Sequence, residues 1–353
     1  MPPSELDQLR AHIDTINQEL LNALNRRAQL VQQIQRLKRS LGLDPYDPAR
    51  EQAMLSALCA QNPGPLAERE LRQVFSTIFG LAPALCDTDQ LPSVSRIQHP
   101  EDLCIKVGEL EIGPQPLLIA GPCAIESPEQ LELVAQFLSQ SGIRMLRGGA
   151  FKPRSSPYAF QGHGKQALEW LKASAQKHRL VSVSEITDPR QLEMMEEYVD
   201  VLQVGARNMA NYELLKELAK SSKVVLLKRG IAASLDEFLG AAEYLASTGK
   251  RSIILCERGI RSFSKDTRFS LDISAIPLLR QRTYLPVFVD VSHAAGRTDI
   301  LAPLARAALA AGAQGLMVEL HPQPAAARSD AFQQLDFEQF STFLQDIGLQ
   351  RKR

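Results

Sequence analysis

Eight short apolar runs of strand type, each separated from the next by an amphipathic helical pattern, fill the chain from residue 117 to residue 320. They are LLIAG (117–121), IRMLRG (143–148), LVSVSE (180–185), VLQVGA (201–206), VVLLKRG (224–230), SIILCER (252–258), PVFVDVSH (286–293) and GLMVEL (315–320). Continuous apolar runs suit strands buried on both faces, and alternation with helices implies parallel pairing. Eight such units in about 250 residues fit an α/β fold closed as a (β/α)8 TIM barrel. An open doubly wound sheet is the alternative, although no GxGxxG follows a strand. Just ahead, CIKVGELEIG (104–113) alternates around Gly108 and predicts a short hairpin.

The first 90 residues read differently. From Glu5 to about Lys38, Leu6, Leu9, Ile13, Ile16, Leu20, Leu24, Val31, Ile34 and Leu37 recur at three and four, predicting one long amphipathic helix. A second helix starts at DPAR, with Asp47 as cap and Pro48 in the first turn, and runs to about Ala60. NPGP (62–65) breaks the chain before a third, which carries Leu71, Val74, Phe75, Ile78 and Phe79 to about Cys86. The expected organisation is a small all-α domain over 1–90, a connector over 91–103 and the barrel over 104–353. Arg27 shares a helix face with Leu20 and Ile34, Lys38 falls slightly off it, and Glu51 projects beside Leu55 and Leu58. Two readings stay open: a cavity holding a small dianion, or long side chains reaching water at the edge of the domain.

Forty Lys plus Arg against forty Asp plus Glu give no net charge, which argues against nucleic acid or a membrane surface as partner. The five cysteines, at 59, 86, 104, 123 and 256, show no CxxC spacing, so a reducing, cytoplasmic setting is expected. No apolar run approaches bilayer length.

Local charge is another matter. Barrel chemistry sits at the C-terminal strand ends. Those ends carry Cys123, Arg147 with Lys152 and Arg154, Glu185, Arg207, Lys228, Arg258, Asp290 with His293, and Glu319 with His321. Six cations at one mouth of a neutral chain call for anionic ligands, and phosphate and carboxylate suit Arg forks and Lys point charges. Cys123, His293 and Glu319 end the first, seventh and eighth barrel strands, neighbours across the closure, and Asp330 follows in the last loop. That donor set suits a divalent Mn, Fe, Co or Zn ion, with His321 a competing ligand.

GPCAIES (121–127), LRGGAFKPRSSPYAFQG (146–162), QVGARNMAN (203–211), LLKRG (226–230), CERGIRSF (256–263), TRFSLDISAIP (267–277), VDVSHAAGR (289–297) and GLMVELHPQPAAARSD (315–330) together resemble the type Iβ class of 3-deoxy-D-arabino-heptulosonate 7-phosphate (DAHP) synthases. The resemblance runs from about residue 104 to the C-terminus. It implies condensation of phosphoenolpyruvate with erythrose 4-phosphate, the entry step of the shikimate pathway. By matching position, Ala206, Arg207 and Arg258 would hold the phosphoenolpyruvate phosphate, while Arg147, Lys152 and Lys228 would hold its carboxylate. Arg154 and Ser155 would take the erythrose phosphate. Cys123, His293, Glu319 and Asp330 would bind the metal, Lys152 or a metal-bound water would protonate the new alkoxide, and Glu185 would organise the cations. Ser155 stands where Thr is usual, and Phe269 and Ser270 where Asn and Thr are common. The related octulosonate phosphate synthases, which take a longer aldose phosphate, are the nearest rival; KPRSS favours the shorter acceptor.

The N-terminal order Arg10, Arg27, Lys38, Asp47, Arg50, Glu51 resembles the intertwined all-helical chorismate mutases, which some type Iβ synthases carry as a fused domain. The resemblance implies at least a homodimer, or a homotetramer, with Arg10 reaching into the partner's pocket. Arg27 and Arg50 would bind carboxylates, Lys38 the ether oxygen and Glu51 the ring hydroxyl of chorismate or prephenate. Cys86 stands where that family places Gln or Glu, and Pro83 interrupts the same helix. A thiol is a weak donor, so the domain is read either as a mutase or as a sensor that regulates the barrel.

Overall fold

The computed structural model describes residues 4–41, 43, 47–80, 92–113, 115–154 and 156–349. The chain separates into two compact units, Met1–Leu91 and Pro92–Arg353.

In the first unit the apolar repeat winds as one long helix, α1 (Glu5–Ser40), followed by α2 (Pro48–Ala60) and α3 (Glu68–Gly80). Asp47 caps α2, its carboxylate accepting from the Arg50 amide at 3.0 Å. Residues 81–91, with Pro83 and Cys86, lie outside the described residues.

In the second unit a hairpin of β1 (Ile105–Val107) and β2 (Leu110–Ile112) precedes the barrel. The barrel strands are β3 (Leu117–Gly121), β4 (Met145–Arg147), β5 (Val181–Ile186), β6 (Val201–Val204), β7 (Val224–Lys228), β8 (Ile253–Glu257), β9 (Val287–Asp290) and β10 (Gly315–Glu319). They pair in parallel in that order, and β10 closes on β3, which excludes the open sheet. Two apolar clusters hold the layers. Inside the barrel, Ile119, Met145, Val183, Leu226, Ile254, Phe288 and Met317 pack with Ile105, Val107 and Ile112, so the hairpin plugs the interior. Outside it, the other strand faces pack on the helices through Leu118, Leu146, Leu202, Leu227, Leu255 and Val289. With one end of the barrel filled by apolar side chains, polar residues collect at the other. Among the described residues no helix is long and apolar enough to cross a membrane.

Two details depart from the sequence reading. The stretch expected as a connector is bound to the barrel from Pro92 onward. Val94 is buried, the Ser93 and Val94 amides donate to Glu243 at 2.8 and 3.1 Å, and Asp102 bridges Arg96 and Arg280 at 2.6 and 2.8 Å. These partners are distant in sequence, so no local periodicity betrays them. The seventh barrel strand also stops at Asp290, where the Asp290 carboxylate accepts from the His293 amide at 2.9 Å and starts a short helix, Val291–Ala295. That turn swings His293 toward the barrel axis.

Gly121 ends β3 at φ +147°, and a Cβ there would lie 2.0 Å from the Arg147 carbonyl oxygen. Gly121→Ala is therefore expected to cost more than about 3 kcal/mol, read as a lowered urea midpoint, because backbone rather than a flexible side chain must move.

Candidate active site and metal centre

Each functional side chain sits at the C-terminal end of a strand or in the segment that follows it. Cys123 follows β3, His293 lies on the turn after β9, Glu319 ends β10, and Asp330 lies in the loop after it. Their ligand atoms all fall within 4.8 Å of one another. The Cys123 Sγ is 3.1 Å from Asp330 Oδ2, and His293 Nε2 is 3.5 Å from Glu319 Oε1. His293 Nδ1 lies 2.8 Å from the buried Asp290 carboxylate, which leaves Nε2 for a metal. Asp330 adopts left-handed backbone (φ +47°), one of two non-glycine residues to do so among those described, the kind of strain that persists where a side chain must be aimed.

His321 is no part of this group. Its Nδ1 accepts from the Gln323 amide at 3.0 Å, and its Nε2 faces Glu126 at 3.7 Å, because the chain beyond β10 turns this ring away from the barrel axis. The competing ligand is thereby set aside.

Beside these four candidate ligands lies a cavity of about 360 Å³, lined by Arg147, Lys152, Arg154, Glu185, Ala206, Arg207, Lys228, Arg258 and His293. All six cations read from the strand ends converge on it. Ser155 lies outside the described residues. Arg147 Nη1 is 2.6 Å from Glu319 Oε1, both buried, and Lys228 pairs with Asp290. Lys152 Nζ reaches the Cys123 sulfur at 3.0 Å and its carbonyl at 3.1 Å. Gln203 donates to Glu185 at 3.5 Å, and a Cβ on Gly205 would meet the same carboxylate at 2.1 Å, so Glu185 is held against the β6 end.

Burial pushes the Cys123 thiol up to about 12, with Glu319 and Asp330 adding to the rise against Lys152 and Arg147. Burial also lowers His293, which keeps its imidazole neutral as a ligand must be. Burial would raise Asp330, but Arg268 and the Cys123 thiol outweigh it and bring it to about 2. Burial would lower Lys152, yet Cys123 and Glu319 raise it, so it holds a proton. A metal entering this site must displace the thiol proton. Metal affinity is therefore expected to rise about tenfold per pH unit between about pH 6 and 8, with about one proton released per ion bound, measured by calorimetry in buffers of different ionisation enthalpy. Affinity falls as pH drops because protons then compete for the sulfur.

Four residues at this site have no role assigned from the sequence: Arg268 and Phe269 lie within TRFSLDISAIP, while Gln333 and Gln334 lie outside every quoted motif. Gln333 donates to Glu319 Oε2 at 2.6 Å and accepts from Arg268 Nη1 at 2.8 Å. Gln334 accepts from the Cys123 amide at 3.0 Å and donates to the Ser329 carbonyl at 2.9 Å. Arg268 also reaches Asp330 Oδ1 at 3.3 Å, and Phe269 lines the cavity. The glutamines are buried, and the one sequence sign was two adjacent amides just after Asp330.

In the helical unit Arg10 faces Asp7 at 3.6 Å, Arg27 lies 5.0 Å from the Phe79 ring centroid, Asp47 caps α2, Arg50 is exposed, and Lys38 and Glu51 are half-buried.

The sequence profile of the DAHP synthetase I family matches residues 102–351. The chain belongs to that family. A second profile, chorismate mutase type II, matches residues 9–85, so the helical unit is a domain of that kind. Among curated relatives, the phospho-2-dehydro-3-deoxyheptonate aldolase of Thermotoga maritima is 49% identical over 72% of this chain and 75% of its own length. Its crystal structure, described as a DAHP synthase, superposes with a TM-score of 0.71. A truncated form of the 3-deoxy-D-arabino-heptulosonate 7-phosphate synthase from the same organism gives 0.68 at 46% identity, covering 72% of this chain and 94% of that one. More distant is the 2-dehydro-3-deoxyphosphooctonate aldolase of Koribacter versatilis, 31% identical over 66% of this chain and 90% of its own.

Proposed function

We propose that the barrel condenses phosphoenolpyruvate with erythrose 4-phosphate and water to give DAHP and phosphate. The observation that carries this reading is the convergence of six cations and a four-ligand centre on one cavity at the strand ends. Two anionic substrates repel each other, and only a site with surplus fixed positive charge holds both.

Arg207 and Arg258 bind the donor phosphate, with the Ala206 backbone beside them, and Arg147, Lys152 and Lys228 bind the donor carboxylate. Arg154 and Ser155 bind the acceptor phosphate. Cys123, His293, Glu319 and Asp330 hold a divalent Mn, Fe, Co or Zn ion; a soft thiolate with an imidazole and two carboxylates fits such borderline metals. When bound, the ion supplies Lewis acidity toward the acceptor aldehyde. The donor's C3 bonds to the aldehyde carbon, and its electrons come from the enol double bond. Lys152, protonated and turned toward the Cys123 sulfur, gives its proton to the new alkoxide. Water then adds at the C2 cation and passes a proton back to Lys152; the C2–O bond to phosphate breaks as the C2 hydroxyl becomes the ketone, its proton leaving with the phosphate toward Arg207 and Arg258.

Labelling tests this. Phosphoenolpyruvate carrying 18O at the bridging oxygen is expected to yield labelled inorganic phosphate only when erythrose 4-phosphate is present. A five-carbon acceptor, arabinose 5-phosphate, is expected to react at least about tenfold less efficiently; preference for it would favour the octulosonate-type reading, and label retained in the ketose would sink the cleavage step.

For the helical domain we propose binding of chorismate or prephenate by Arg10, Arg27, Lys38, Asp47, Arg50 and Glu51, as a mutase or as a sensor that regulates the synthase. Leu6, Leu9, Ile13, Ile16 and Leu20 on α1 are 54–60% exposed, which supports a homodimer or homotetramer built on this stripe. Isomerase activity of the full chain toward chorismate, against inhibition of phosphate release by prephenate, separates the two roles.

A further inference from the structure

The loop after β8 carries an unusual arrangement. Arg258 is buried, yet its Nη1 is fully enclosed with no hydrogen-bond partner. What it has instead is an aromatic face: the Phe269 ring centroid lies 4.1 Å from its Cζ. A second guanidinium, that of Arg268, lies 6.0 Å from the same ring and is committed to Asp330 and Gln333 at 3.3 and 2.8 Å. One ring thus stands against two cations with different duties.

The backbone fixes the ring there. Ile260 and Ser270 exchange both amide–carbonyl hydrogen bonds, at 2.9 and 3.0 Å, and the Phe269 and Arg268 amides donate to Ala294 and Ala295 at 2.9 Å. Gly259, at φ +85°, lets this stretch approach, since a Cβ there would meet the Phe269 Cβ at 2.8 Å. Phe269 also lines the cavity itself.

A guanidinium stacked on an aromatic face keeps its charge and all its N–H donors in the plane free for an anion, while losing freedom to swing. We infer that Phe269 is a positioning residue for donor binding, its ring holding the Arg258 guanidinium aimed into the cavity while Arg268 stays with the metal loop. This rests on Arg258 being a donor-phosphate ligand, as proposed above. Phe269 is neither one of the four candidate metal ligands nor a proton donor in the proposed reaction, so its influence belongs in donor affinity rather than in turnover at saturation.

The test uses the full chain reconstituted with cobalt, with inorganic phosphate and phosphoenolpyruvate as probes. Phe269→Leu, which fills space without a π face, is expected to weaken phosphate binding and raise the KM for phosphoenolpyruvate by about 5- to 30-fold. The KM for erythrose 4-phosphate and kcat at saturation should stay within about threefold, and the cobalt–thiolate absorption should not change. Phe269→Tyr, which restores the ring, should recover the affinity. In an Arg258→Met background Phe269→Leu should have no further effect. Wild-type phosphate affinity in Phe269→Leu, or a loss of equal size in the Arg258→Met background, overturns the inference. If Arg258→Met alone binds phosphate and phosphoenolpyruvate as wild type does, the assignment of Arg258 falls, and the inference with it.

Discussion

Cys123→Ala lowers turnover by about 10³-fold or more and abolishes the thiolate–metal absorption of the cobalt form, while the protein still melts cooperatively. The expectation follows from geometry. The sulfur is fully buried and contacts both Asp330 Oδ2 at 3.1 Å and Lys152 Nζ at 3.0 Å. Removing it takes away a proposed metal ligand and a neighbour that keeps the lysine protonated. The fold should survive, because alanine is the smaller side chain, and the Cys123 amide keeps its bond to Gln334 at 3.0 Å. Such a loss from a core would cost about 1–2 kcal/mol, far less than the catalytic effect. The check is kcat under saturating substrates and metal, alongside the thermal midpoint.

The second large effect falls on Arg147. Its Nη1 meets Glu319 at 2.6 Å, with both side chains at most 5% exposed. Arg147→Met leaves Glu319 as a buried carboxylate with one fewer cation, which costs about 3–5 kcal/mol when one partner of a buried pair is removed. Burial would raise the Glu319 pKa, and His293, Arg147 and Lys152 together outweigh it. Without Arg147 that balance shifts toward the protonated acid. Because the folded pKa of Glu319 lies below its ordinary value in the wild type, the stability it contributes is present above that ordinary value and lost as pH falls through the lowered one. The variant should lose part of this acid-side dependence. On the proposed assignment of Glu319 as a metal ligand, added divalent ion would supply the missing positive charge. Urea unfolding should therefore show a deficit of about 3–5 kcal/mol without metal that shrinks when metal is added, while phosphoenolpyruvate binding stays impaired in both states.

Much of this site could be read from the chain because charge and sulfur at strand ends are conspicuous. Cys123, Arg147, Lys228, Arg258 and Glu319 each stand at, or just beyond, the end of an apolar run, and closure of β10 on β3 brings the first and last of these ends together. What escaped notice was neutral or remote. Gln333 and Gln334 reach Glu319 and Cys123, and Gln334 crosses 211 positions of sequence to do so. A buried amide has no periodicity of its own. His321 is a ligand candidate in the sequence because it stands two residues from Glu319; β10 ends at Glu319, so residue 321 no longer follows the strand, and its ring faces Glu126. Phe269 was noticed as a departure from its relatives, but its contact with Arg258 needed the Ile260–Ser270 pairing to be seen.

Phosphate release from phosphoenolpyruvate by chelated and metal-reconstituted enzyme, with and without erythrose 4-phosphate, tests the central claim most directly. The account predicts release only when metal and both substrates are present, with one phosphate per ketose formed. Undiminished release by the rigorously chelated protein, or release from phosphoenolpyruvate alone, would contradict it.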